Sequence, residues 1–233
     1  MRLLLCSNST NFGENYLDHW AAEIVDFLGA IKQIVFVPYA LDDLNAYTKK
    51  TRDRYAEMGI RVAGIHENDP RKMVTEAEAI HIGGGNTFRL LKKLYDEDLI
   101  DIIRHRVSDG MLYLGASAGT NVATISIKTT NDMPIVYPPS FEALNLVPFN
   151  INPHYIDPDP STQHMGETRD QRISEFHEVN NAPVLGLREG ALIRREGDTL
   201  TLKGKNGAKL FTKGNTPQLN NTGADLSFLL RGF

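Results

Sequence analysis

The sequence predicts a single α/β domain, a three-layer sandwich with a mostly parallel central sheet and a small antiparallel β element near the C-terminus. Three observations support this prediction. Apolar stretches of strand length alternate with helical patterns over the first half of the chain. The segment after residue 190 instead carries short strands separated by glycine-containing turns. A length of 233 residues with 41% hydrophobic content is enough for one buried core, so we expect one domain over residues 1–233.

The first half of the chain alternates between predicted strands and predicted helices. Strands are expected at residues 3–6, 33–38, 61–66, 79–82 and 111–114, and helices at 16–28, 42–58 and 87–107. In the first helix Trp20, Ile24 and Leu28 share one apolar face, and Gly29 follows as a C-cap. This rhythm implies parallel strands joined by right-handed crossovers, with helices over both faces of the sheet.

The second half of the chain follows a different pattern. A strand is expected near residues 146–152, a helix at about 168–179, a strand at 184–187, and antiparallel strands at 191–196, 199–203 and 208–212. The sheet is therefore predicted to be mixed. Ligands of such open sheets bind beyond the carboxyl ends of the strands, so residues at those ends are the first candidates for a functional site.

The composition excludes several classes of function. A formal net charge of −4 provides no basic field for a phosphate backbone or an anionic membrane, so we expect neither nucleic acid nor membrane as a partner. Cys6 is the only cysteine, which rules out an internal disulfide, a thiolate zinc cluster and a redox pair. The N-terminal apolar run meets polar residues at Ser7, too early for a signal peptide core. We expect a cytoplasmic protein that acts on small molecules.

Ser117 is the candidate nucleophile. The predicted strand at 111–114 runs into the GxSxG motif of residues 115–119, and a helix pattern follows. Small residues on both sides permit a strained turn that lifts the hydroxyl out of the sheet, at a helix N-terminus that favours developing negative charge. The alternative is a tight turn without chemistry, but the position between a buried strand and a helix favours the nucleophile.

A serine nucleophile needs a base, and the base needs an orienting group. Among seven histidines, His154 stands out because it follows a predicted strand and Pro153 holds the chain extended there. His164, in a loop rich in Pro and Asp, is the competing candidate. Glu189, at the end of the predicted strand 184–187, is the first candidate for the acid, and Asp132 is a second.

The order of these residues along the chain separates two fold families. In an α/β-hydrolase the order is serine, acid, histidine. Here the preferred assignment runs Ser117, His154, Glu189, and the chain is short for that fold. We therefore reject the α/β-hydrolase in spite of the matching serine motif.

Six segments in this order resemble the peptidase E family, the α-aspartyl dipeptidases, which share the architecture of class I glutamine amidotransferases but use serine. The matching segments are residues 83–88, 115–122, 129–136, 151–154, 166–169 and 186–190. The resemblance implies Ser117 as nucleophile, His154 as general base and then acid, and Glu189 as the residue that orients His154. It also implies that the backbone N–H groups of Gly85 and Ala118 bind the oxyanion.

The resemblance further implies a small peptide substrate with an N-terminal aspartate, an Asp-X dipeptide, and no metal or organic cofactor. Arg169 matches the family position that grips the aspartate side chain, because a guanidinium can hold a carboxylate with two parallel hydrogen bonds. Asn86, after the glycine run, is a further substrate-binding candidate, and Glu167 and Asp132 are acidic candidates for the substrate amine. A monomer or a homodimer is expected.

Two alternatives stay open at the level of sequence. One is a related serine hydrolase with another substrate, an amidase or a cyanophycinase-like peptidase. The other is a non-catalytic module that holds an anion with the glycine run and a helix N-terminus. The segment 155–165 is longer or differently composed than the family pattern, which affects the expected substrate range more than the chemistry.

Overall fold

The computed structural model describes residues 1–161, 163 and 165–232, which form eleven strands and seven α-helices. The first half contains β1 (Arg2–Cys6), α1 (Ala21–Leu28), β2 (Gln33–Val37), α2 (Leu44–Glu57), β3 (Arg61–Gly64), α3 (Pro70–Glu76), β4 (Ala79–Ile82), α4 (Thr87–Asp96), α5 (Ile100–Ser108), β5 (Leu112–Ala116) and α6 (Ala118–Asn121). The second half contains β6 (Asn150–Tyr155), α7 (Arg169–Val179), β7 (Val184–Arg188), β8 (Ala191–Glu196), β9 (Thr199–Gly204), β10 (Ala208–Phe211) and β11 (Gln218–Asn220).

The central sheet has seven strands in the order β3-β2-β4-β5-β1-β8-β9. The five strands from β3 to β1 are parallel, whereas β8 pairs with β1 and with β9 in antiparallel fashion. Five parallel strands place their carboxyl ends along one edge of the sheet, as the alternation of strands and helices predicts.

A second sheet of four strands, in the order β11-β10-β7-β6, lies apart from the central one. Its strands β6 and β7 are parallel, and β10 and β11 are antiparallel to their neighbours. The expected antiparallel C-terminal element is thus divided: β8 and β9 extend the central sheet, while β10 and β11 extend β7. The local sequence pattern does not specify this division, because the division depends on which distant strands pair with one another.

Both faces of the central sheet are buried, which makes the fold three-layered. In β1, Leu3 and Leu5 belong to one hydrophobic cluster and Leu4 and Cys6 to another. The first cluster contains side chains of α3, α4, α5 and the second sheet, and the other contains side chains of α1 and α2. Strands buried on both faces have continuous apolar runs, the signal used to predict them.

Several elements differ from the predictions. The helix expected from residue 16 begins at Ala21, after a 3₁₀ turn at Asp18–Trp20. The strand expected near 146–152 is β6, which begins at Asn150 and continues past His154. The helix expected over 87–107 is two helices, because Asp98 adopts a left-handed conformation with φ of 51° and ends the first. Helix α3 was not predicted, although Asp69 caps it and Pro70 begins it.

Among the described residues, no helix is both long enough and apolar enough to cross a membrane.

Candidate active site

Ser117 lies directly after β5, on the sharp turn between that strand and α6. Its φ of 52° and ψ of −108° are strained for a residue with a side chain. The turn depends on its two glycines: a Cβ on Gly115 would lie 2.6 Å from the Gly119 carbonyl oxygen, and one on Gly119 would lie 2.0 Å from that of Ile82. The backbone N–H of Ser117 donates to the carbonyl of Cys6 at 3.1 Å, which ties the turn to β1.

Helix α6 is shorter than the sequence predicts. It has only four residues, Ala118–Asn121. The helix dipole expected behind Ser117 is therefore weak, because the macrodipole needs several aligned turns. Any stabilisation of negative charge at Ser117 must come from individual N–H groups in contact with the charge.

His154 lies in β6, at a point where the strand bulges away from β7. Its φ of 52° is in the left-handed region, and the ring points towards the turn after β5. The Ser117 Oγ to His154 Nε2 distance is 2.8 Å, a hydrogen bond of ordinary length. The structure therefore brings together a serine and a histidine that are 37 positions apart in the chain.

Glu189 follows β7 and completes the constellation. Its Oε1 lies 2.6 Å from His154 Nδ1. A carboxylate only accepts hydrogen bonds, so Nδ1 carries the ring proton and Nε2 keeps a free lone pair towards the Ser117 hydroxyl. The side chains of His154 and Glu189 are 40% and 52% exposed, so the group is open to solvent and to a ligand.

The glycine run between β4 and α4 packs directly against Ser117. A Cβ on Gly84 would lie 3.0 Å from the Ser117 Cβ, and Gly85 has a φ of 135° that favours glycine. Within the part of the chain that the structure describes, neither the Gly85 N–H nor the Ala118 N–H has a hydrogen-bond acceptor. Two N–H groups are therefore available to a ligand, one on the residue after Ser117 and one in the glycine run that packs against Ser117.

Ser117 and His154 line a cleft of about 700 Å³. Asp132 also lines it, and its Oδ2 accepts from the Thr87 N–H at 2.8 Å and from the Thr130 hydroxyl at 3.1 Å. The carboxylate is thus fixed beside α4, and its second oxygen has no partner among the described residues.

Asn86 caps α4. Its side-chain oxygen accepts from the Arg89 N–H at 3.0 Å, and its side-chain nitrogen donates to the Met133 carbonyl at 2.8 Å. Both ends of the amide are therefore occupied by the protein, and Asn86 is not among the residues that line the cleft.

Arg169 begins α7 and does not itself line the cleft. Its pKa is lowered mainly by burial, while the charge of Asp132 acts in the opposite direction. Among the described residues its guanidinium has no acidic partner within salt-bridge distance. The next residue, Asp170, accepts from the Tyr155 hydroxyl and pairs with Lys209 at 2.7 Å, which anchors this end of α7 on the second sheet.

Glu167 and His164 are the other two candidates from the sequence. Glu167 is exposed, pairs with Arg172 at 3.5 Å and does not line the cleft. His164, the competing histidine, lies outside the described residues.

The cleft also contains residues that the sequence analysis did not single out, among them Asn8, Tyr47 and Lys50. For Asn8 a signal was available, because it lies two residues beyond the carboxyl end of β1, where ligand-binding residues of parallel sheets are concentrated. Tyr47 and Lys50 lie on α2, whose pattern gives no such indication.

Ser117 lies on a strained strand-to-helix turn and is hydrogen-bonded to an imidazole, which is hydrogen-bonded to a carboxylate. This arrangement is typical of serine hydrolases. Comparison with known proteins agrees with this class. Residues 3–203 match Peptidase family S51. The chain belongs to this family.

Two curated relatives cover nearly the whole chain. A protein of Streptomyces coelicolor named Peptidase E is 53% identical over 231 residues, 99% of this chain and 95% of the relative. A protein of Drosophila melanogaster named probable alpha-aspartyl dipeptidase is 51% identical over 234 residues, 98% of this chain and 97% of the relative.

Solved structures agree on the fold. A peptidase from an acI-B1 actinobacterium superposes with a TM-score of 0.72 at 16% identity, covering 97% of this chain and 96% of its own. A putative peptidase E protein from Listeria monocytogenes superposes with a TM-score of 0.66 at 21% identity, covering 87% of this chain and 98% of its own. At these identities the likeness supports the α/β architecture alone.

Proposed function

We propose that this protein is a serine dipeptidase that hydrolyses Asp-X dipeptides, with Ser117 as nucleophile, His154 as base and Glu189 as the residue that orients His154. The observation that carries the proposal is the continuous hydrogen-bonded path from the Ser117 hydroxyl through the imidazole to the Glu189 carboxylate, at 2.8 Å and 2.6 Å. The names of the relatives from Streptomyces coelicolor and Drosophila melanogaster support the same reaction.

In the proposed cycle the Ser117 oxygen attacks the peptide carbonyl while His154 Nε2 takes the hydroxyl proton. The N–H groups of Gly85 and Ala118 bind the resulting oxyanion, and losing one such donor typically costs about 3 kcal/mol of barrier. His154 then gives its proton to the departing amine, which leaves an ester on Ser117. Water, deprotonated by His154, hydrolyses that ester and restores the serine.

We assign substrate specificity to two charged side chains, Arg169 and Asp132. Arg169 would hold the aspartate side chain, since it is half-buried and has no acidic partner in salt-bridge range among the described residues. Asp132 would hold the substrate amine, because it lines the cleft and one of its oxygens is unoccupied by the described residues. Asn86 would contribute by fixing the start of α4, and Glu167 is the weaker candidate for the amine.

Several further properties belong to the same proposal. The protein would act as one domain over residues 1–233, in the cytoplasm, as a monomer or homodimer, and without a metal or organic cofactor. Size-exclusion chromatography with light scattering measures the oligomeric state, and dialysis against a chelator before the assay tests the independence from metal.

A panel of substrates tests the reaction and its specificity together. The dialysed protein is assayed on Asp-Leu, Asn-Leu, Glu-Leu, N-acetyl-Asp-Leu and an Asp-Arg polymer. We expect hydrolysis of Asp-Leu, with at least about 100-fold lower kcat/KM on Asn-Leu because the amide cannot form a charged pair with Arg169. Preferential cleavage of the polymer or of the acetylated peptide would contradict the dipeptidase assignment.

A further inference from the structure

The backbone of His154 lies in a β-bulge. Strands β6 and β7 pair in regular parallel register up to Asn152 and Gly186, and pairing resumes at Tyr155 and Arg188. Two residues of β6 therefore oppose the single residue Leu187 of β7. Such a bulge re-aims a side chain at the cost of regular ladder bonds. Here it turns the imidazole towards Ser117, with a left-handed φ that a histidine does not favour.

The bulge leaves backbone groups that the ladder cannot satisfy, and two side chains bind them. The Asn131 amide donates to the Pro153 carbonyl at 2.7 Å. The Ser7 hydroxyl accepts from the His154 N–H at 2.9 Å and donates to the Leu187 carbonyl at 2.8 Å. The hydroxyl thus takes the place of the direct hydrogen bond between the two strands at the position of the imidazole.

Ser7 is itself firmly held. It is completely buried, and its N–H donates to the Ala191 carbonyl at 3.0 Å. It also follows Cys6, whose carbonyl accepts the N–H of Ser117. The last residue of β1 therefore contacts the turn that carries the serine, and the residue after it contacts the bulge that carries the imidazole. The turn follows a strand of the central sheet, whereas the bulge lies in the second sheet.

We propose that Ser7 is a positioning residue for His154, an inference that rests on the proposed role of His154 as the base. Without the hydroxyl, the His154 N–H and the buried Leu187 carbonyl would both lose their hydrogen-bond partner. An unpaired buried group is unfavourable, so the bulge would relax and move the ring. A misplacement of about 1 Å of a reacting group can cost about 100-fold in rate.

The test compares Ser7→Ala with Ser126→Ala. Ser126 is also buried and its hydroxyl also contacts β6, but at the opposite end, where it accepts from the Asn150 amide at 3.2 Å. We expect Ser7→Ala to lower kcat on Asp-Leu by about 10- to 100-fold, with KM changed by less than about threefold. Ser126→Ala should keep the wild-type kcat. Equal kcat in both variants would overturn the proposal.

A double variant distinguishes positioning from general loss of structure. If Ser7 acts through His154, then Ser7→Ala adds little to the loss already caused by His154→Ala. Fully multiplicative losses would contradict the inference. If Ser7→Ala does not fold, Ser7→Cys keeps the volume with a weaker hydrogen bond, and the same kcat loss is expected; a wild-type kcat would refute it. A wild-type rate in His154→Ala itself would instead refute the proposed function.

Discussion

Two regions of this protein bring a nucleophile, a histidine and a glutamate close together in space. The first is the group of Ser117, His154 and Glu189 beyond β5. The second, which we call the buried thiol cluster, consists of Cys6, His19 and Glu14, at the carboxyl end of the neighbouring strand β1. A thiol is intrinsically the better nucleophile. By residue type alone, the second group would be as good a candidate as the first.

The direction of the hydrogen bonds separates the two regions. His19 Nε2 lies 3.4 Å from the Cys6 sulfur, but it also lies 3.1 Å from the Asn8 carbonyl oxygen. A carbonyl only accepts, so Nε2 carries the proton and cannot take one from the thiol. In the other group the carboxylate binds Nδ1, which leaves Nε2 free for the serine.

Burial separates them further. The His19 side chain is 1% exposed, and burial is the main reason that its pKa is lowered. Burial also raises the pKa of the Cys6 thiol to about 12, so the reactive thiolate is rare at neutral pH. Three suitable side chains are therefore not enough: the ring tautomer and access to a ligand decide which group can react.

The largest expected effect comes from removing the hydroxyl of Ser117, with removal of the Cys6 thiol as the matched control. We expect Ser117→Ala to lower kcat on Asp-Leu by about 10⁴- to 10⁶-fold, as the loss of a nucleophile does in serine peptidases. Cys6→Ala should stay within about threefold of wild type, since its sulfur takes no part. Steady-state kinetics measures both, and thermal unfolding checks that both variants fold. A large loss in the cysteine variant alone would reverse the assignment of the two regions.

The two glutamates provide the next contrast. Glu189→Gln replaces an acceptor by an amide that can offer its N–H₂ to Nδ1, which favours the wrong tautomer, and we expect kcat to fall by about 10³-fold. Glu14→Gln is the matched control and should leave kcat unchanged. Equal kcat values for Glu189→Gln and Glu14→Gln would show that Glu189 does not orient His154 in the reaction.

Arg169 and Arg172 give the next contrast, between two arginines of α7 of which only Arg169 is proposed to bind the substrate. Arg169→Met should lower kcat/KM on Asp-Leu by about 100-fold and affect Asn-Leu much less, because only the former substrate loses a charged pair. Arg172→Met is the control, since Arg172 lies in the same turn of α7 but pairs with Glu167. Uniform loss on both substrates would indicate a change in α7 rather than lost recognition.

The smallest effect concerns a third histidine, His81, which is completely buried. Its Nδ1 forms a hydrogen bond with the Tyr55 hydroxyl at 2.9 Å. Burial lowers the pKa of His81 to about 3, whereas in an unfolded chain it is near 6.5. Between these values the unfolded state binds the extra proton, so stability falls as the pH is lowered.

For His81 alone this loss is about 2 kcal/mol between pH 7 and pH 5. Urea unfolding at the two pH values measures it. His81→Gln should show a smaller decrease than wild type, and the exposed His105→Gln should show the wild-type decrease. Identical pH dependence in all three proteins would contradict the effect of burial.

Much of the fold and of the candidate site could be predicted because the relevant signals are local. Continuous apolar runs identify strands buried on both faces, and small residues between β5 and α6 identify the strained turn at Ser117. The apolar runs that precede His154 and Glu189 point to both residues. In the structure His154 contacts Ser117, and Glu189 contacts His154. Helix α3 also has a local signal, since Asp69 is a favourable N-cap and Pro70 a favourable first helical residue.

The remaining features depend on contacts between distant segments. Sequence patterns do not show that β6 and β7 leave the central sheet, since a strand buried on both faces has the same apolar run in either sheet. The bulge at His154 and its contact with Ser7 join residues 147 positions apart. The tautomer of His19 likewise depends on a carbonyl contact that no residue type specifies.

Labelling with a serine-reactive fluorophosphonate, followed by peptide mapping and an assay on Asp-Leu, tests the central claim most directly. We predict one adduct per chain, on Ser117, with activity lost in proportion to labelling. The adduct should persist in Cys6→Ala and be absent in Ser117→Ala. Full Asp-Leu activity in protein labelled completely at Ser117, or inactivation by an adduct at another residue, would contradict the account.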